Sequence, residues 1–203
     1  MTAPGKSRPA TRIRVVAIGA SAGGFSGLMQ LLPELPRIRN CALLIVVHLH
    51  PQSKGLLADI LRRKIQSSHG HWKVKQAEDG DRLRTGVAYI APPDLHLTLL
   101  GNRLHLSSTA PVRWHRPSVD VLFGSVAREG GPGAIAVLLS GAGCDGCEGL
   151  RLMKMSGATT IVQDPAEAIV SSMPEHGIET GCVDFVIPSH SIGLQITMLC
   201  AQG

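Results

Sequence analysis

The chain has 203 residues, of which 44% are hydrophobic and 3% aromatic, so its length suits one domain with a largely aliphatic core. Its formal net charge of +5 comes in part from the first residues, and the remaining charges are scattered. Because single-stranded nucleic acids stack their bases on aromatic rings, the scarcity of such rings argues against a nucleic-acid partner.

Residues 1–11 predict a disordered basic tail ahead of a single domain that covers residues 12–203. The tail lacks the apolar stretch of a secretory signal, and no apolar run in the chain approaches the roughly 20 residues of a membrane helix. The five cysteines are an odd number without a secretion signal, which is typical of reduced thiols. We therefore expect a cytoplasmic protein without membrane insertion.

Strand-like and helix-like segments alternate along most of the chain, which predicts a three-layer α/β/α fold with a mostly parallel sheet. The first part predicts a strand at 13–18, a helix at 23–35 closed by Pro33 and Pro36, a strand at 41–47 and a helix at 54–65. Residues 73–107 consist of short alternating pieces between Asp-Gly, Thr-Gly and Gly-Asn turns, which predicts a small antiparallel hairpin excursion. The last part predicts a helix at 117–128, a strand at 134–140, a helix at 148–155, a strand at 158–164, helical pieces at 165–181, a strand at 183–188 and a C-terminal helix.

Three polar side chains follow predicted buried strands. Ser21 comes after the first strand, His48 after the second, and Asp145 lies in the turn after the strand at 134–140. Ligands of parallel sheets bind beyond the carboxyl ends of the strands. A serine hydroxyl becomes a good nucleophile when an imidazole takes its proton and a carboxylate orients the imidazole. The sequence therefore predicts a Ser-His-Asp catalytic site at this edge of the sheet.

The turn around Ser21 has the G-x-S-x-G spacing of a nucleophile elbow, from Gly19 to Gly23. A dinucleotide-binding turn is one alternative, but Ser21 occupies the place of its middle glycine, and the second strand ends in His48 rather than in an acid. An ordinary α/β-hydrolase is another, but its order is serine, acid, histidine, whereas here Ser21 and His48 precede Asp145.

Each of these residues also has a purely structural interpretation. Ser21 is a favoured type of helix N-cap, and His48 has the position of a buried, hydrogen-bonded histidine at a strand end. Asp145 has the position of a cap for the helix that begins after it. The presence of all three residues at neighbouring strand ends favours catalysis.

Two further groups of potential ligands are weaker candidates. Cys144 and Cys147 form a single CxxC, and a redox or zinc role would need a thioredoxin-like context or a second ligand pair. His69 and His71 have H-x-H spacing in a polar stretch, where solvated side chains are more common than zinc ligands. We therefore expect no metal and no cofactor.

Two further pairs of residues are candidates for the surroundings of the site. His115 and Arg116 precede the helix at 117–128, where they either line a substrate cleft or fasten their loop, and both alternatives stay open. Met173 and Pro174 are expected to shape a turn near the cleft.

Six segments, in order over about residues 13–188, have family-specific sequences. They are VVAIGASAGG, VVHLHP, AEDGDRLRTGVAYIAPPDLHL, HRPSVDVLF, LLSGAGCDGCEGL and IVQDPAEAIVSSMPEHGI. Together they resemble the catalytic domain of the CheB-type chemotaxis protein-glutamate methylesterases. The resemblance implies hydrolysis of glutamyl methyl esters on the cytoplasmic helices of methyl-accepting chemoreceptors, with release of methanol. Many relatives also deamidate receptor glutamines, and the sequence leaves this second reaction open.

The resemblance also implies roles for single residues. The family nucleophile falls on Ser21, the histidine on His48 and the aspartate on Asp145. His50 is the competing histidine, but the family pattern places its histidine three residues before a proline, and Pro51 fits His48.

Three departures from the family pattern affect these expectations. Ala22 stands where the family often has threonine, and Ala142 where it usually has methionine, so the expected oxyanion donors are the backbone N–H groups of these two alanines. Relatives commonly carry an N-terminal phospho-receiver domain, whereas about a dozen residues precede the first strand here. We therefore expect constitutive activity or control by a separate regulatory protein. The alternative function is a non-catalytic module on the same fold that binds a receptor or a signalling partner.

Overall fold

Nine strands form two sheets in the computed structural model, which describes residues 13–36, 38–48, 56–67 and 71–201. The strands are β1 (Arg14–Ala20), β2 (Cys41–Val47), β3 (Lys73–Gln76), β4 (Val87–Ile90), β5 (His96–Leu100), β6 (Arg103–Ser107), β7 (Ile135–Leu138), β8 (Thr159–Gln163) and β9 (Phe185–Ile187). Seven of them form one sheet in the order β3-β4-β2-β1-β7-β8-β9. All neighbours in this sheet are parallel, so the strands end at one common edge.

Helices cover both faces of the large sheet. They are α1 (Gly24–Glu34), α2 (Leu57–Ser67), α3 (Val119–Gly130), α4 (Cys147–Met155), α5 (Ser172–Glu179) and α6 (Ser189–Ala201). One face carries α3, α4, α5 and the β5–β6 hairpin, and the other carries α1, α2 and α6. Along β1, Val15 and Ala17 face the first layer while Val16 and Ile18 face the second, as expected for a strand buried on both sides. The predicted three-layer α/β/α fold is confirmed.

The predicted antiparallel excursion at 73–107 is confirmed in its second part and wrong in its first. Strands β5 and β6 form an antiparallel hairpin that turns at Gly101 and Asn102. Strands β3 and β4, in contrast, pair in parallel and extend the large sheet beyond β2. The physical reason is burial, because every residue of β4 is buried and such a strand needs a hydrogen-bonded neighbour on each side.

The end of α1 also differs from the prediction. Pro33 lies inside the last turn of the helix instead of terminating it, and the helix continues to Glu34. Leu32 and Leu35 are buried against the sheet, and the Leu35 N–H still donates to the Leu31 carbonyl at 3.1 Å. Burial of these leucines therefore outweighs the hydrogen bond that the proline cannot donate.

Some predictions fall on residues that lie outside the described ranges. These are the basic tail at 1–11 and the alternative histidines at positions 50 and 69. Within the described ranges, no helix combines the length and the apolar character that crossing a bilayer requires.

Candidate active site

Ser21 lies in the turn between β1 and α1, at the edge where the parallel strands end. Its N–H donates to the Ser140 carbonyl at 3.0 Å, which ties the turn to the segment after β7. The helix N-cap is Gly23, with a φ of 78°, a conformation that suits glycine because it has no Cβ. No side chain caps this helix, so the interpretation of Ser21 as an N-cap is wrong.

His48 is the first residue after β2, and its N–H donates to the Ala20 carbonyl at 3.0 Å. Ala20 and Val47 are register partners at the ends of β1 and β2, so Ser21 and His48 leave the sheet side by side. The side chain of His48 is only 8% exposed. Its Nε2 lies 2.7 Å from an Asp145 carboxylate oxygen, and its Nδ1 is buried without a hydrogen-bond partner among the described residues.

Asp145 is fully buried in the turn between β7 and α4. Its Oδ2 accepts from His48 Nε2 and from the Val119 N–H, each at 2.7 Å. Its Oδ1 accepts from the Ser118 hydroxyl at 2.8 Å and from the Asp120 N–H at 3.0 Å. The carboxylate therefore sits on the N-terminus of α3, where unpaired N–H groups and the helix dipole favour a negative charge.

Asp145 does not cap its own helix, contrary to that structural interpretation. The N-cap of α4 is Gly146, and no side chain of its own turn caps it. Asp120 of α3 supplies the cap instead, because its Oδ1 accepts from the N–H groups of Gly146 and Gly149, both at 2.8 Å. Ser118 caps α3 by accepting from the Val121 N–H at 3.4 Å, and Asp145 accepts from two further N–H groups at that helix start. The start of each helix thus binds an aspartate from the other segment, and we call this arrangement the aspartate exchange.

The ionisation of the two aspartates differs. Burial alone would raise the pKa of Asp145, but hydrogen bonds from His48 and from the N–H groups of Asp120 and Val119 outweigh it and lower the pKa below its ordinary value. Burial raises the pKa of Asp120, and the nearby charge of Asp145 adds to this effect. Asp145 is therefore the carboxylate that stays ionised beside His48.

Acid is expected to destabilise the protein through Asp145. A carboxyl whose pKa is lower in the folded state than in the unfolded state stabilises the fold when it is ionised. This stabilisation is complete above the pKa of the unfolded state, which is about 3.9. It is lost as the pH falls through the lower pKa of the folded state. Denaturant titrations at pH 5 and pH 3 will measure the loss. We expect a smaller loss for Asp145→Asn than for the wild type, and an equal loss in the two proteins would contradict the assignment.

The hydroxyl of Ser21 makes no hydrogen bond to His48 or to any other described residue. Serine and histidine of hydrolases often stand at a loose distance in the absence of substrate. Among the hydrogen bonds within the described ranges, none has the N–H of Ala22 or Ala142 as its donor. Both alanines are exposed in the turns after β1 and β7, which suits donors that point at a ligand.

Gly141 separates the Ser21 turn from Met173, which is fully buried at the start of α5. A Cβ at position 141 would lie 2.6 Å from the Ser21 Cβ and 2.8 Å from the Met173 sulfur. The flexible methionine side chain can give way, but the Ser21 Cβ is fixed to the turn. The expectation that Met173 and Pro174 shape a turn is wrong, because both lie in α5. Met173 is nevertheless close to the Ser21 turn, since its N–H donates to the Gly141 carbonyl at 2.9 Å.

Gly141→Ala is expected to lower kcat by about 100-fold, because a displacement of roughly 1 Å at a reacting group costs that much. Gly27→Ala is the matched control, since its Cβ would meet only ordinary contacts at 3.5 Å and 3.6 Å. Steady-state hydrolysis of a glutamyl methyl ester will measure both variants. Equal rates for Gly141→Ala and Gly27→Ala would contradict the tight placement of Ser21.

His115 and Arg116 separate into the two roles that the sequence left open. The His115 ring stacks on the His48 ring, with a centroid distance of 3.7 Å and an interplanar angle of 12°. Arg116 pairs with Asp94 at 2.6 Å and donates to the carbonyls of Ser108 and Thr109, so it fastens the loop. His115 belongs to the site and Arg116 to its scaffold.

Sequence reasoning missed the part played by Ser118 and Asp120. Ser118 is the N-cap of α3 and holds Asp145, and Asp120 lies in the first turn of α3 and holds the start of α4. The signal that was available is the pair of capping residue types, serine and aspartate, at a predicted helix start. Such a start offers free N–H groups that a distant carboxylate can occupy.

His48, His115 and Asp145 also place three potential metal-ligand atoms within 4.8 Å of one another. Histidine and carboxylate groups are common zinc ligands. Here the carboxylate oxygen already accepts a hydrogen bond from His48 Nε2. The two rings are nearly parallel, so their in-plane lone pairs do not converge on one point. The arrangement therefore does not favour a metal centre.

Cys144 and Cys147 flank Asp145, and both are free thiols. Arg113 Nη1 donates to Cys144 Sγ at 3.3 Å. Burial, together with the nearby Cys144 and Asp120, raises the pKa of Cys147 to about 11, so this thiol ionises little at neutral pH. Because the thiolate is the reactive form, a redox role for Cys147 is disfavoured.

Known proteins are similar to this chain in sequence and in fold. A family model described as CheB methylesterase matches residues 16–196. The protein-glutamate methylesterase/protein-glutamine glutaminase of Photorhabdus laumondii is 42% identical over 178 residues, which are 86% of this chain and 49% of that protein. Its namesake from Salmonella typhimurium is 38% identical over 194 residues, which are 94% of this chain and 54% of that protein. The chain thus spans about half the length of these curated relatives.

A solved structure extends the similarity to three dimensions. The catalytic domain of the Thermotoga maritima CheB methylesterase matches with a TM-score of 0.84 and 32% sequence identity, over 92% of this chain and 98% of that one. Residues 16–196, which the family model matches, contain all but the first residue of the segments that carry the resemblance in the sequence. The chain therefore belongs to the CheB methylesterase family.

Proposed function

We propose that the chain hydrolyses glutamyl methyl esters on chemoreceptor helices, with Ser21 as the nucleophile, His48 as the general base and Asp145 as the orienting carboxylate. The observation that carries the proposal is the buried 2.7 Å hydrogen bond from His48 Nε2 to Asp145. It fixes the proton on Nε2 and leaves Nδ1 as the basic atom at the edge that carries Ser21. The names of the curated relatives supply the substrate class.

The proposed reaction has two halves. His48 Nδ1 takes the proton of Ser21 Oγ, which attacks the ester carbonyl, while the N–H groups of Ala22 and Ala142 stabilise the oxyanion. His48 then gives the proton to the departing methanol. A water molecule then attacks the acyl group on Ser21 and gives its proton to His48. His48 returns this proton to Ser21 Oγ as the bond from Oγ to the acyl carbon breaks and the glutamate carboxylate departs. Asp145 stays ionised throughout and stabilises the imidazolium form of His48.

Deamidation of glutamine is the second candidate reaction, because the relatives' name includes protein-glutamine glutaminase. The same steps apply, with ammonia instead of methanol as the leaving group. An amide is the less reactive acyl donor, so deamidation is expected to be slower than ester hydrolysis. A separate regulatory protein remains part of the proposal as a partner.

The proposal is tested by the release of methanol from a methylated chemoreceptor fragment by the wild-type chain. A parallel assay measures ammonia from the same fragment with glutamine at the methylation sites. Methanol release with multiple turnovers is the expected result. A folded protein that binds the fragment without releasing methanol would instead favour the non-catalytic binding module.

Trp114 is a candidate contact for the receptor helix beside the ester. It is 98% exposed at the tip of a turn that two hydrogen bonds between Val112 and His115 close, at 3.1 Å and 2.9 Å. Arg113 and Trp114 both have positive φ values, 47° and 68°, which are costly for residues other than glycine. The turn thus holds a large aromatic side chain in solvent directly beside the ring that stacks on His48.

Trp114→Ala is expected to raise the KM for the receptor fragment by about tenfold, since a buried aromatic contact contributes more than about 1 kcal/mol to binding. The rate for a small soluble methyl ester should stay unchanged, because this substrate does not reach the turn. Met155→Ala is the control, since Met155 is 82% exposed at the far end of α4. An unchanged KM in Trp114→Ala would contradict the contact.

A further inference from the structure

The stacked pair of His48 and His115 is the feature of the site that a serine, histidine and aspartate alone do not explain. The ring centroids lie 3.7 Å apart, at an angle of 12°. The backbone of His115 forms two hydrogen bonds with the backbone of Val112. The same turn is held to the start of α3 by Arg113, whose Nε donates to Asp120 at 3.2 Å. The ring of His115 is therefore fixed to the segment that also holds Asp145.

His115 is a neutral ring at neutral pH. Burial lowers its pKa below the ordinary value for histidine, and the neighbouring His48 lowers it further, while Asp145 acts in the opposite direction. Its Nδ1 is buried without a hydrogen-bond partner among the described residues. A half-buried imidazole whose buried Nδ1 forms no such bond contributes to the site mainly through its flat, polarisable face.

We propose that His115 is a positioning residue for His48. The His115 ring holds the His48 ring in the plane and orientation that present His48 Nδ1 to Ser21. This inference rests on the proposed esterase function. Rotation of the His48 ring about its Cβ–Cγ bond would sweep one edge into the His115 ring, since the two rings are already in van der Waals contact. The same face stabilises His48 when it becomes an imidazolium, as an aromatic face does for any adjacent cation.

A direct role for His115 in proton transfer does not fit this geometry. Proton transfer between imidazoles runs along lone pairs that lie in the ring planes. In the observed stack the faces of the rings meet, so no ring nitrogen of His115 aims at one of His48. His115 thus acts through the position of His48.

The test compares His115→Phe, which keeps a flat ring and removes both nitrogens, with His115→Ala, which removes the ring. Methanol release gives kcat and KM, and thermal unfolding reports the folded state. We expect His115→Ala to lower kcat by about 10- to 100-fold with KM within about threefold of the wild type, because a general base is misplaced. His115→Phe should keep kcat within about fivefold of the wild type.

Nitrogen-15 NMR shows which ring nitrogen of His48 carries the proton. This property would not change in the His115 variants if His115 only stabilised the fold. In the wild type and in His115→Phe, we expect the proton on Nε2 and none on Nδ1. In His115→Ala we expect a mixture of both forms, because a His48 ring that is free to turn about its Cβ–Cγ bond can donate to Asp145 from either nitrogen. This spectrum tests the inference even if the wild type releases no methanol, in which case only the proposed function has failed.

Three results would overturn the inference. One is a kcat in folded His115→Phe more than about 30-fold below the wild type, which would mean that a nitrogen of His115 is needed. Another is wild-type kcat in His115→Ala. The third is a single Nε2-protonated form of His48 in His115→Ala. If His115→Ala does not fold, the kcat and the NMR spectrum of His115→Phe still test the inference.

Discussion

Ser21→Ala is expected to lower methanol release by at least about 10⁴-fold while leaving the protein as stable as the wild type. The hydroxyl is the attacking group in the proposed reaction, and loss of the nucleophile in serine hydrolases removes most of the rate enhancement. The turn should keep its shape, because its bonds use the backbone. The Ser21 N–H donates to Ser140, and the Ser21 carbonyl accepts from the Gly24 N–H at 2.9 Å.

Ser26→Ala in α1 is the matched control, since it makes the same change five residues further along the chain. We expect wild-type kcat for Ser26→Ala and unchanged unfolding midpoints for both variants. Methanol release by Ser21→Ala at more than about one hundredth of the wild-type rate would reject Ser21 as the nucleophile. Binding of the receptor fragment should survive in Ser21→Ala, because the mutation removes one oxygen atom and no charge.

Asp145→Ala is expected to lose both activity and stability. We expect kcat to fall by about 10⁴-fold, as in other hydrolases whose histidine loses its orienting carboxylate. The free energy of unfolding should fall by about 3–5 kcal/mol, because four donors that bond this carboxylate are left in a dry environment. The N-terminus of α3 would keep its Ser118 cap but lose the acceptor of the Val119 and Asp120 N–H groups.

Asp184→Ala is the control for the stability effect. Asp184 accepts from the Thr160 N–H at 2.9 Å and from the Thr160 hydroxyl at 3.0 Å, and it pairs with Lys154, all remote from Ser21. Its replacement should lower stability by about 1 kcal/mol, since it is partly exposed, without a change in kcat. Denaturant unfolding and methanol release separate the two effects. Asp145→Ala with wild-type stability would contradict the caps that the structure assigns to Asp145.

The sequence was sufficient to predict the layers and the edge of the sheet at which polar residues gather. The buried strands β1, β2 and β7 are short apolar runs with clear ends, and parallel strands bring such ends together whatever the details of the loops. Ser21, His48 and Asp145 needed no further information to be placed at a common edge. The same logic failed for β3 and β4, because their partners lie far along the chain and turn signals alone suggest a hairpin.

The aspartate exchange was beyond the reach of sequence reasoning for a different reason. Asp120 lies at the start of α3 and Asp145 lies just before α4. The preference of aspartate for helix N-termini therefore predicts that each one binds the start of the nearer helix. Only the packing of α3 against α4 decides that the caps are swapped. The stacking of His115 on His48 is of the same kind, since 67 positions separate two rings that meet only after folding.

The aspartate exchange has a consequence for how relatives of this chain diverge. A descendant that abandons catalysis can lose the Ser21 hydroxyl, because this hydroxyl forms no hydrogen bond to a described residue. It cannot replace Asp145 without leaving the Val119 and Asp120 N–H groups at the start of α3 without their acceptor. Selection for folding alone would then preserve the aspartate long after selection for turnover has ended. In an alignment of such proteins, a serine at the position of Ser21 would distinguish active enzymes from inactive relatives. An aspartate at the position of Asp145 would indicate only that the fold is shared.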